Sequence, residues 1–250
     1  MRLLIYAIII AGLVFLYFNR SYAYYYDYLG SHPLTNPNQT YYVFEGQGRE
    51  NTLVYIALGD SLTAGIGASD HMKPFPVLIA QSLAKRYESV VLNNFGQPQA
   101  TTADVLNSQI NLAKTNISPA KNPHLTTVIT IFIGINDLHN FESLNNFKKN
   151  YQEIISGLKT NNQAKIVLIN LPYLGSKTLL PPFNYLVDYR TQKYNEAIKS
   201  LAEKNNLQLI DLYTSTQASM KNDQGLYSSD FFHPSDKGYQ LWAQVIKNSL

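Results

Sequence analysis

The residues best suited to chemistry are a serine that directly follows an apolar run and an Asp-His pair near the carboxyl end of the chain. The tetrapeptide Gly59-Asp60-Ser61-Leu62 follows residues 53–58, whose apolar character predicts a buried strand. Glycine permits a tight turn, and the turn would present the serine at the strand's carboxyl end, where open α/β sheets place their sites. The same serine can also cap the following helix. By itself, the tetrapeptide supports a nucleophile and a helix cap equally.

The pair Asp230 and His233 offers the partners that a nucleophilic serine needs. A serine requires a base to take its proton, and the base requires a partner that fixes its tautomer. Residues three apart can lie on one turn, close enough for the carboxylate to hold the imidazole. The alternative is an aspartate that caps a turn beside an exposed histidine. None of the remaining histidines has an aspartate or glutamate three residues before it, as His233 has in Asp230: His32, His71, His124 and His139.

Two further polar segments follow predicted strands. Gly134-Ile135-Asn136-Asp137 comes after the β-branched run at residues 127–133, and Asn93-Asn94-Phe95-Gly96 follows residues 90–93. The side-chain amide of Asn136 can stabilise a developing oxyanion, and one such donor contributes roughly 3–4 kcal/mol to the transition state. Alternatively, Asn136 satisfies backbone groups of its own loop, a common role after a strand. We expect Asp137 to stabilise that loop and not to react.

Apolar strands alternate with amphipathic helices from residue 52 onward. Strands are predicted over residues 53–58, 90–93, 127–133, 164–170 and 207–210, and helices over residues 76–87, 102–113, 145–158, 187–205 and 235–250. This alternation is typical of βαβ units. It predicts an α/β fold in which about five parallel strands lie between two layers of helices.

Composition excludes several classes of function. The chain has 250 residues and a net charge of +3, and it contains no run of five or more basic residues, so nucleic-acid binding has no support. The absence of cysteine excludes disulfides, a thiolate nucleophile and cysteine-based zinc sites. Scattered histidines do not favour another metal site, and we expect no cofactor.

The amino terminus determines the expected location. Residues 3–18 are apolar or small throughout, between Arg2 and Arg20, and as a helix they would span roughly 24 Å. Residues 1–21 are either an uncleaved membrane anchor or a signal peptide cut after Ala23; a buried helix of the domain is a third possibility. We favour the anchor because Arg20 directly follows the apolar run, and we then expect an extracytoplasmic domain.

A tyrosine-rich tether, residues 22–50, is expected between the anchor and the domain at residues 51–250. Proline and glycine turn signals recur in this tether. In the anchor reading, the first tyrosines form an aromatic belt at the lipid–water interface: Tyr22, Tyr24, Tyr25, Tyr26 and Tyr28.

Taken together, the four polar segments resemble the SGNH hydrolases, also called GDSL lipases/esterases, in order and spacing over about residues 52–250. The resemblance implies a flavodoxin-like three-layer α/β/α fold and a serine esterase without cofactor. It also implies that Ser61 is the nucleophile, His233 the general base and Asp230 its orienting acid. The Gly-x-Ser-x-Gly elbow of the other large α/β hydrolase class is absent, since Thr63 follows Leu62.

The resemblance further implies an oxyanion hole formed by the Ser61 N–H, the Asn136 side chain and a third donor. At the third donor this chain departs from the family, which usually has a glycine where this sequence has Gln99. The backbone N–H survives that change, but a side chain crowds the site and any positive φ would be strained. Gly96, in a shifted loop, is the alternative donor.

Several classes of ester substrate are compatible with the sequence. Lipid, lysophospholipid or other acyl esters suit a membrane-anchored enzyme, and the apolar segment at residues 171–183 either covers an acyl chain or packs over the sheet edge. A carbohydrate O-acetylesterase or O-acyltransferase of the cell envelope is the first alternative. A non-catalytic envelope-binding protein on a hydrolase scaffold is the second, and its only support is Gln99. Oligomeric state is not predicted.

Overall fold

The computed structural model describes residues 2–31, 34, 36–37, 39–117, 125–159, 164–174 and 183–250, with the backbone alone for residues 21–31 and 183. The tyrosine belt proposed for residues 22–28 and the middle of the apolar segment, residues 175–182, lie outside the described side chains. The chain forms two compact units, Met1–Leu34 and Thr35–Leu250.

The first unit contains one helix, α1 (Arg2–Ser31). Residues Arg2–Arg20 are long and apolar enough to cross a membrane, by length and composition. The helix continues ten residues into the predicted tether, a difference from the sequence-based boundary. Residues 21–29 contain neither proline nor glycine, so nothing in them interrupts the helix.

The second unit is built on a six-stranded sheet. Its strands are β1 (Tyr41–Glu45), β2 (Thr52–Gly59), β3 (Ser89–Asn94), β4 (Leu125–Phe132), β5 (Ala164–Ile169) and β6 (Gln208–Ile210), in the order β1-β3-β2-β4-β5-β6. The strands β2 to β6 pair in parallel, which confirms the predicted α/β fold. The prediction of about five strands omitted β1, which pairs antiparallel with β3 at the edge of the sheet.

Strand β1 lies inside the segment expected to be a tether. Its sequence Tyr-Tyr-Val-Phe-Glu is rich in aromatic and β-branched residues, which favour a pleated surface. Only Tyr42 is buried, at 5% exposure, and its hydroxyl donates to the carbonyl of His71 at 2.8 Å. A single anchoring side chain among half-exposed neighbours gives a weak sequence pattern, and the strand is short, as edge strands often are.

Helices cover both faces of the sheet. They are α2 (Ser61–Ala64), α3 (Phe75–Leu83), α4 (Thr102–Asp104), α5 (Ile110–Asn116), α6 (Ile135–His139), α7 (Leu144–Lys159), α8 (Phe183–Asn205), α9 (Leu212–Asn222) and α10 (Asp236–Lys247). Helix α10 contacts α3 and α9, whereas α7 contacts α4, α5 and α8. These two groups form the outer layers of a three-layer sandwich.

An aromatic cluster joins one helical layer to the sheet. The Phe75 ring lies 5.7 Å from that of Phe132 on β4, and the Trp242 ring on α10 lies 5.8 Å from Phe132. These edge-to-face contacts are all fully buried. Nearby, the Tyr239 hydroxyl donates to the Ile66 carbonyl at 2.7 Å, which ties α10 to the loop after α2.

Candidate active site

The site lies where three strands end together. Strand β2 has β3 on one side and β4 on the other, so the chain reverses its direction across the sheet between these neighbours. Open α/β sheets form a crevice at such a switch point. Residues that follow the three strands, Ser61, Gln99 and Asn136, are therefore brought to one edge of the sheet.

Ser61 is the first residue of α2, and Asp60 is its N-cap. The Asp60 carboxylate accepts a hydrogen bond from the Leu62 N–H at 2.9 Å. The capping role considered for the serine is thus filled by Asp60. The Ser61 hydroxyl is left to make another contact, and its N–H at the first helical position has no intrahelical acceptor.

Ser61, His233 and Asp230 lie in one line of hydrogen bonds. His233 Nε2 lies 2.9 Å from Ser61 Oγ, and His233 Nδ1 lies 2.6 Å from Asp230 Oδ2. The side chain of His233 is only 13% exposed and that of Asp230 only 3%. An exposed histidine beside a capping aspartate, the alternative from sequence, does not describe this arrangement.

Asp230 is held in place by its own turn. Its Oδ1 accepts hydrogen bonds from the Ser228 hydroxyl at 2.7 Å and from the N–H groups of Phe232 and His233, both at 2.9 Å. Burial raises the pKa of this carboxyl, but the hydrogen bond and charge of His233 and the donors of the turn outweigh burial and lower the pKa below its ordinary value. Asp230 is therefore a carboxylate, the form that orients an imidazole.

Asn136 lies in the first turn of α6 beside the segment that carries Gln99. Its Nδ2 donates a hydrogen bond to the Ala100 carbonyl at 2.8 Å. An amide nitrogen has two hydrogens, so one donor of Asn136 stays available. Gly134, which precedes α6, has a φ of 133°, and a β-carbon there would meet the Phe147 ring at 2.8 Å. Glycine is therefore required for the turn that presents Asn136.

Gln99 adopts the left-handed conformation that the sequence raised as a concern. Its φ is 66°, and its side chain is exposed. Gly96, the alternative donor, directs its own N–H to Asn94 Oδ1 at 3.1 Å. A β-carbon on Gly96 would collide with the Ala64 N–H, so this glycine serves a close approach of the loop after β3 to α2. The Gly96 N–H is therefore engaged within its own loop.

Gln109 was missed by sequence reasoning. Its buried amide accepts from the Gly59 N–H at 2.9 Å and donates to the Gly59 carbonyl at 2.8 Å, two residues before Ser61. The predicted helix at residues 102–113 contains a π-helical turn, Val105–Gln109, between α4 and α5. Such turns occur often at functional sites. No motif marks Gln109, because its partner is 50 residues away in the chain.

Two buried carboxylates support the loops of the site. Asp137 accepts from the Thr102 N–H at 2.9 Å and from the Thr102 hydroxyl at 2.5 Å, which joins α6 to α4 as the loop role expected for Asp137 requires. Burial raises the pKa of Asp137. Burial likewise raises the pKa of Asp60 to about 7. The hydrogen bond from the Leu62 N–H lowers this pKa, and the charge of Asp137 raises it further.

His139 lies beside the same site. Its ring is 5.3 Å from the Phe232 ring, which is 4.9 Å from the His233 ring. Desolvation, followed by the charge of His233, lowers the pKa of His139. Across the described part of the chain, no group of three or more His, Cys, Asp or Glu side chains is arranged to hold a metal ion.

Comparison with known proteins matches residues 57–241 to the GDSL-like Lipase/Acylhydrolase family. The spore germination lipase LipC of Bacillus licheniformis is 24% identical over 207 residues, covering 78% of this chain and 95% of LipC. A lipolytic G-D-S-L family protein from Veillonella parvula superposes with a TM-score of 0.61 at 18% identity, covering 77% of this chain and 95% of its own. The acetyl xylan esterase AlAXEase superposes with a TM-score of 0.59 at 22% identity, covering 79% of this chain and 99% of its own.

Proposed function

We propose that this chain, which belongs to the GDSL-like lipase/acylhydrolase family and is a carboxylic ester hydrolase, uses Ser61 as its nucleophile. In this proposal the ester is cleaved through an acyl-enzyme on Ser61. The observation that carries this proposal is the line from Ser61 Oγ through His233 to Asp230, at 2.9 and 2.6 Å. A hydroxyl, an imidazole and a carboxylate in this order form a general-base system for a serine nucleophile.

In the first half of the reaction, Ser61 Oγ attacks the ester carbonyl carbon and its proton passes to His233 Nε2. Asp230 stabilises the imidazolium that forms. The tetrahedral intermediate then collapses, the bond to the alcohol oxygen breaks, and His233 returns the proton to the leaving alcohol. In the second half, His233 takes a proton from water as the water oxygen attacks the carbonyl carbon of the acyl-serine. The bond from that carbon to Ser61 Oγ then breaks, His233 returns the proton to Ser61 Oγ, and the carboxylic acid is released.

The negative oxygen of the intermediate needs hydrogen-bond donors. We assign this role to the N–H groups of Ser61 and Gln99 and to the second amide hydrogen of Asn136. The 2.8 Å hydrogen bond from Asn136 to the Ala100 carbonyl supports the assignment, because it holds the amide beside Gln99. Preorganised donors of this kind stabilise charge without reorganisation during the reaction.

Lipid, lysophospholipid or related acyl esters are the proposed substrates, and the domain is proposed to lie outside the cytoplasm on an uncleaved α1. Two observations support this choice. The spore germination lipase LipC is similar to this chain over 95% of the length of LipC. The helix Arg2–Arg20 is long and apolar enough to place the enzyme at a membrane, where such esters are found. No cofactor enters the proposed reaction.

Substitution of Ser61 by alanine tests the nucleophile. We expect Ser61→Ala to abolish ester hydrolysis and to lose labelling by a fluorophosphonate probe, which reacts with an activated serine. Ser156→Ala is the matched control, because Ser156 is an exposed serine on α7. Labelling that persists in Ser61→Ala at the wild-type rate would refute the assignment.

A second candidate is a carbohydrate O-acetylesterase or O-acyltransferase of the cell envelope. The observation that favours it is the structural likeness to an acetyl xylan esterase. The non-catalytic alternative finds no support, since the family consists of hydrolases and the serine, histidine and aspartate are hydrogen-bonded in line.

A series of nitrophenyl esters separates the candidates. Rates that rise from acetyl through butyryl to long acyl chains support the lipid substrate, whereas a sharp preference for acetyl supports the carbohydrate esterase. Product analysis with and without a sugar acceptor then distinguishes hydrolysis from transfer, because a transferase delivers the acyl group to the sugar hydroxyl and not to water.

A further inference from the structure

Four large apolar side chains are exposed together on α8 and the loop after α6. Phe141 is 73% exposed, Tyr185 70%, Leu186 45% and Tyr189 60%, and we call these residues the rim patch. Elsewhere in the described residues from 39 to 250, only Tyr41, Val43 and Leu112 are large apolar side chains with comparable exposure. Most of this domain's exposed apolar surface of that kind is therefore concentrated at one place, which marks an interaction site.

Two cations lie over rings of the rim patch. Tyr185 and Tyr189 are four residues apart on α8 and so share a face of the helix. The Arg190 guanidinium lies 5.0 Å from the centre of the Phe141 ring, and the Lys193 ammonium lies 5.7 Å from that of Tyr189. Lys193 pairs with Glu196 at 2.8 Å, whereas Arg190 pairs with no carboxylate within the described ranges.

The rim patch borders the candidate active site through α6. Arg190 Nη2 donates to the Leu138 carbonyl at 3.4 Å, two residues after Asn136. On the same helix, the ring of His139 lies 5.3 Å from that of Phe232, which precedes His233. One short helix therefore connects the patch with both an oxyanion donor and the turn of the general base.

We propose that the rim patch docks on the surface of a lipid bilayer and holds the mouth of the active site against it. Tyrosine, phenylalanine and basic side chains together are typical of the lipid–water interface, where rings enter the headgroup region and cations meet phosphates. The same chain carries α1, which is long and apolar enough to cross a membrane. Nine residues, 32–40, separate α1 from β1, and that length spans at most about 32 Å.

This inference rests on the proposed placement of α1 in a membrane and narrows the proposed substrate to esters presented by a bilayer. An enzyme docked in this way receives its ester from the headgroup region and does not need a monomeric substrate from water. Arg190, without a carboxylate partner among the described residues, supplies a positive charge for a lipid phosphate.

Fluorescence quenching on the full-length chain tests the docking. Because the chain has no cysteine, Tyr189→Cys introduces a single labelling site for an environment-sensitive fluorophore. Leu112→Cys is the matched control, since Leu112 is 48% exposed on α5, outside the rim patch. Each variant is reconstituted into vesicles of phosphatidylcholine and phosphatidylglycerol that contain nitroxide-labelled lipid, and iodide serves as the quencher in water.

We expect the nitroxide lipid to quench the label at position 189 and iodide to quench the label at position 112. Equal quenching of both positions by iodide would overturn the proposal. Protection of position 189 from both quenchers would also overturn it, because the patch would then be covered by protein. A chain that does not float with the vesicles would overturn the placement of α1 together with the docking.

A kinetic comparison gives a second readout. The triple variant with Phe141→Ser, Tyr185→Ser and Tyr189→Ser should lose roughly tenfold in the ratio of vesicle-ester to soluble nitrophenyl-acetate hydrolysis, because the apolar contacts with the bilayer are removed. The control Leu112→Ser should keep the wild-type ratio, and an unchanged ratio in the triple variant would contradict the docking. Quenching does not require catalysis, so a failed docking and a failed esterase assignment give different results.

Discussion

Gln99 has a backbone conformation that costs free energy, because its φ of 66° lies in the left-handed region that non-glycine residues avoid. We expect Gln99→Gly to keep or raise the free energy of unfolding, by up to about 1 kcal/mol, since relief of strain exceeds the extra freedom of glycine in the unfolded chain. Denaturant unfolding measures the change. The exposed side chain is also removed, so esters with bulkier acyl groups should gain in kcat/KM.

The control for this prediction is Gln97→Gly, two residues earlier in the same loop. Gln97 is exposed and is not among the residues with positive φ, so glycine there should lower stability by about 0.5–1 kcal/mol. A loss of stability in Gln99→Gly as large as that in Gln97→Gly would show that Gln99 is not strained.

Asp60 gives the stability of the protein a pH dependence of defined sign. Burial raises the pKa of this carboxyl to about 7, above the unfolded value of 3.8, so the folded state holds a proton that the unfolded state releases. The contribution of Asp60 to the free energy of unfolding is therefore largest below pH 4, and it falls as the pH rises towards 7. The loss over this range is roughly 2–5 kcal/mol.

Substitution of Asp60 by asparagine should remove this dependence, because the amide oxygen can still accept the Leu62 N–H but does not ionise. Unfolding of both proteins between pH 4 and 8 measures the difference. Asp70→Asn is the control, since Asp70 also accepts a backbone N–H two residues on, from Met72, but is exposed. A pH dependence that survives in Asp60→Asn would assign it to another group.

At the residue scale, the functional residues that can be predicted from sequence are those that lie in local motifs. Ser61, Asp230 and His233 are recognisable because each lies in a short segment whose spacing suits a shared reaction, and the structure brings them within hydrogen-bond distance. Gln109 was not recognisable, because nothing near it in sequence points to Gly59. The sequence predicts strain at Gln99 only if its φ is positive. Whether φ is positive depends on the fold of the whole loop, so the value of 66° could not be predicted from the residue type.

At the scale of elements, the π-helical turn Val105–Gln109 determines how the end of β2 is held. The two hydrogen bonds of Gln109 fix the Gly59 peptide groups, and an interrupted helix aims the amide at them. A regular helix was predicted over residues 102–113, because apolar periodicity barely distinguishes an α-helix from one with a single wider turn. The same limit applies to β1, where only Tyr42 marks the buried face.

Removal of the Gln109 amide should impair catalysis more than substrate binding. In Gln109→Met both Gly59 groups lose the Gln109 amide, and the carbonyl keeps the Gln97 N–H at 3.1 Å. A buried group left without its partner costs about 1–3 kcal/mol, so stability falls and Ser61 is less firmly placed. We expect kcat to fall at least tenfold with KM little changed, at a temperature where circular dichroism shows a folded protein. Ser108→Ala, on the same turn but exposed, should leave both constants unchanged.

The opposite pattern would contradict a positioning role for Gln109. If Gln109→Met loses stability but keeps the wild-type kcat, the two hydrogen bonds serve the fold alone. The rate of fluorophosphonate labelling gives an independent readout, since it reports the reactivity of Ser61 without any requirement for turnover.

For the whole molecule, the sequence predicted the architecture correctly because buried parallel strands and amphipathic helices leave strong, repeated patterns. Residues Leu53–Leu58, for example, are buried without exception, as a central parallel strand requires. The ends of the domain were harder to predict. The tether was expected from turn signals, yet α1 continues to Ser31 and β1 begins at Tyr41, so fewer residues link the helix to the sheet than predicted.

The fate of α1 decides how the whole protein is located, and it is testable in cells. We expect α1 to stay attached, because Arg20 interrupts the region before Ala23 and the helix Arg2–Arg20 can span a bilayer. The full-length mass should be recovered from membranes after alkaline carbonate extraction, and Ala23→Leu should not change it. Leu13→Arg should reduce the membrane fraction, since a central arginine costs about 2.5–3.5 kcal/mol, whereas Leu13→Ile should not. A shorter protein that begins after Ala23, with cleavage blocked in Ala23→Leu, would instead identify residues 1–23 as a signal peptide.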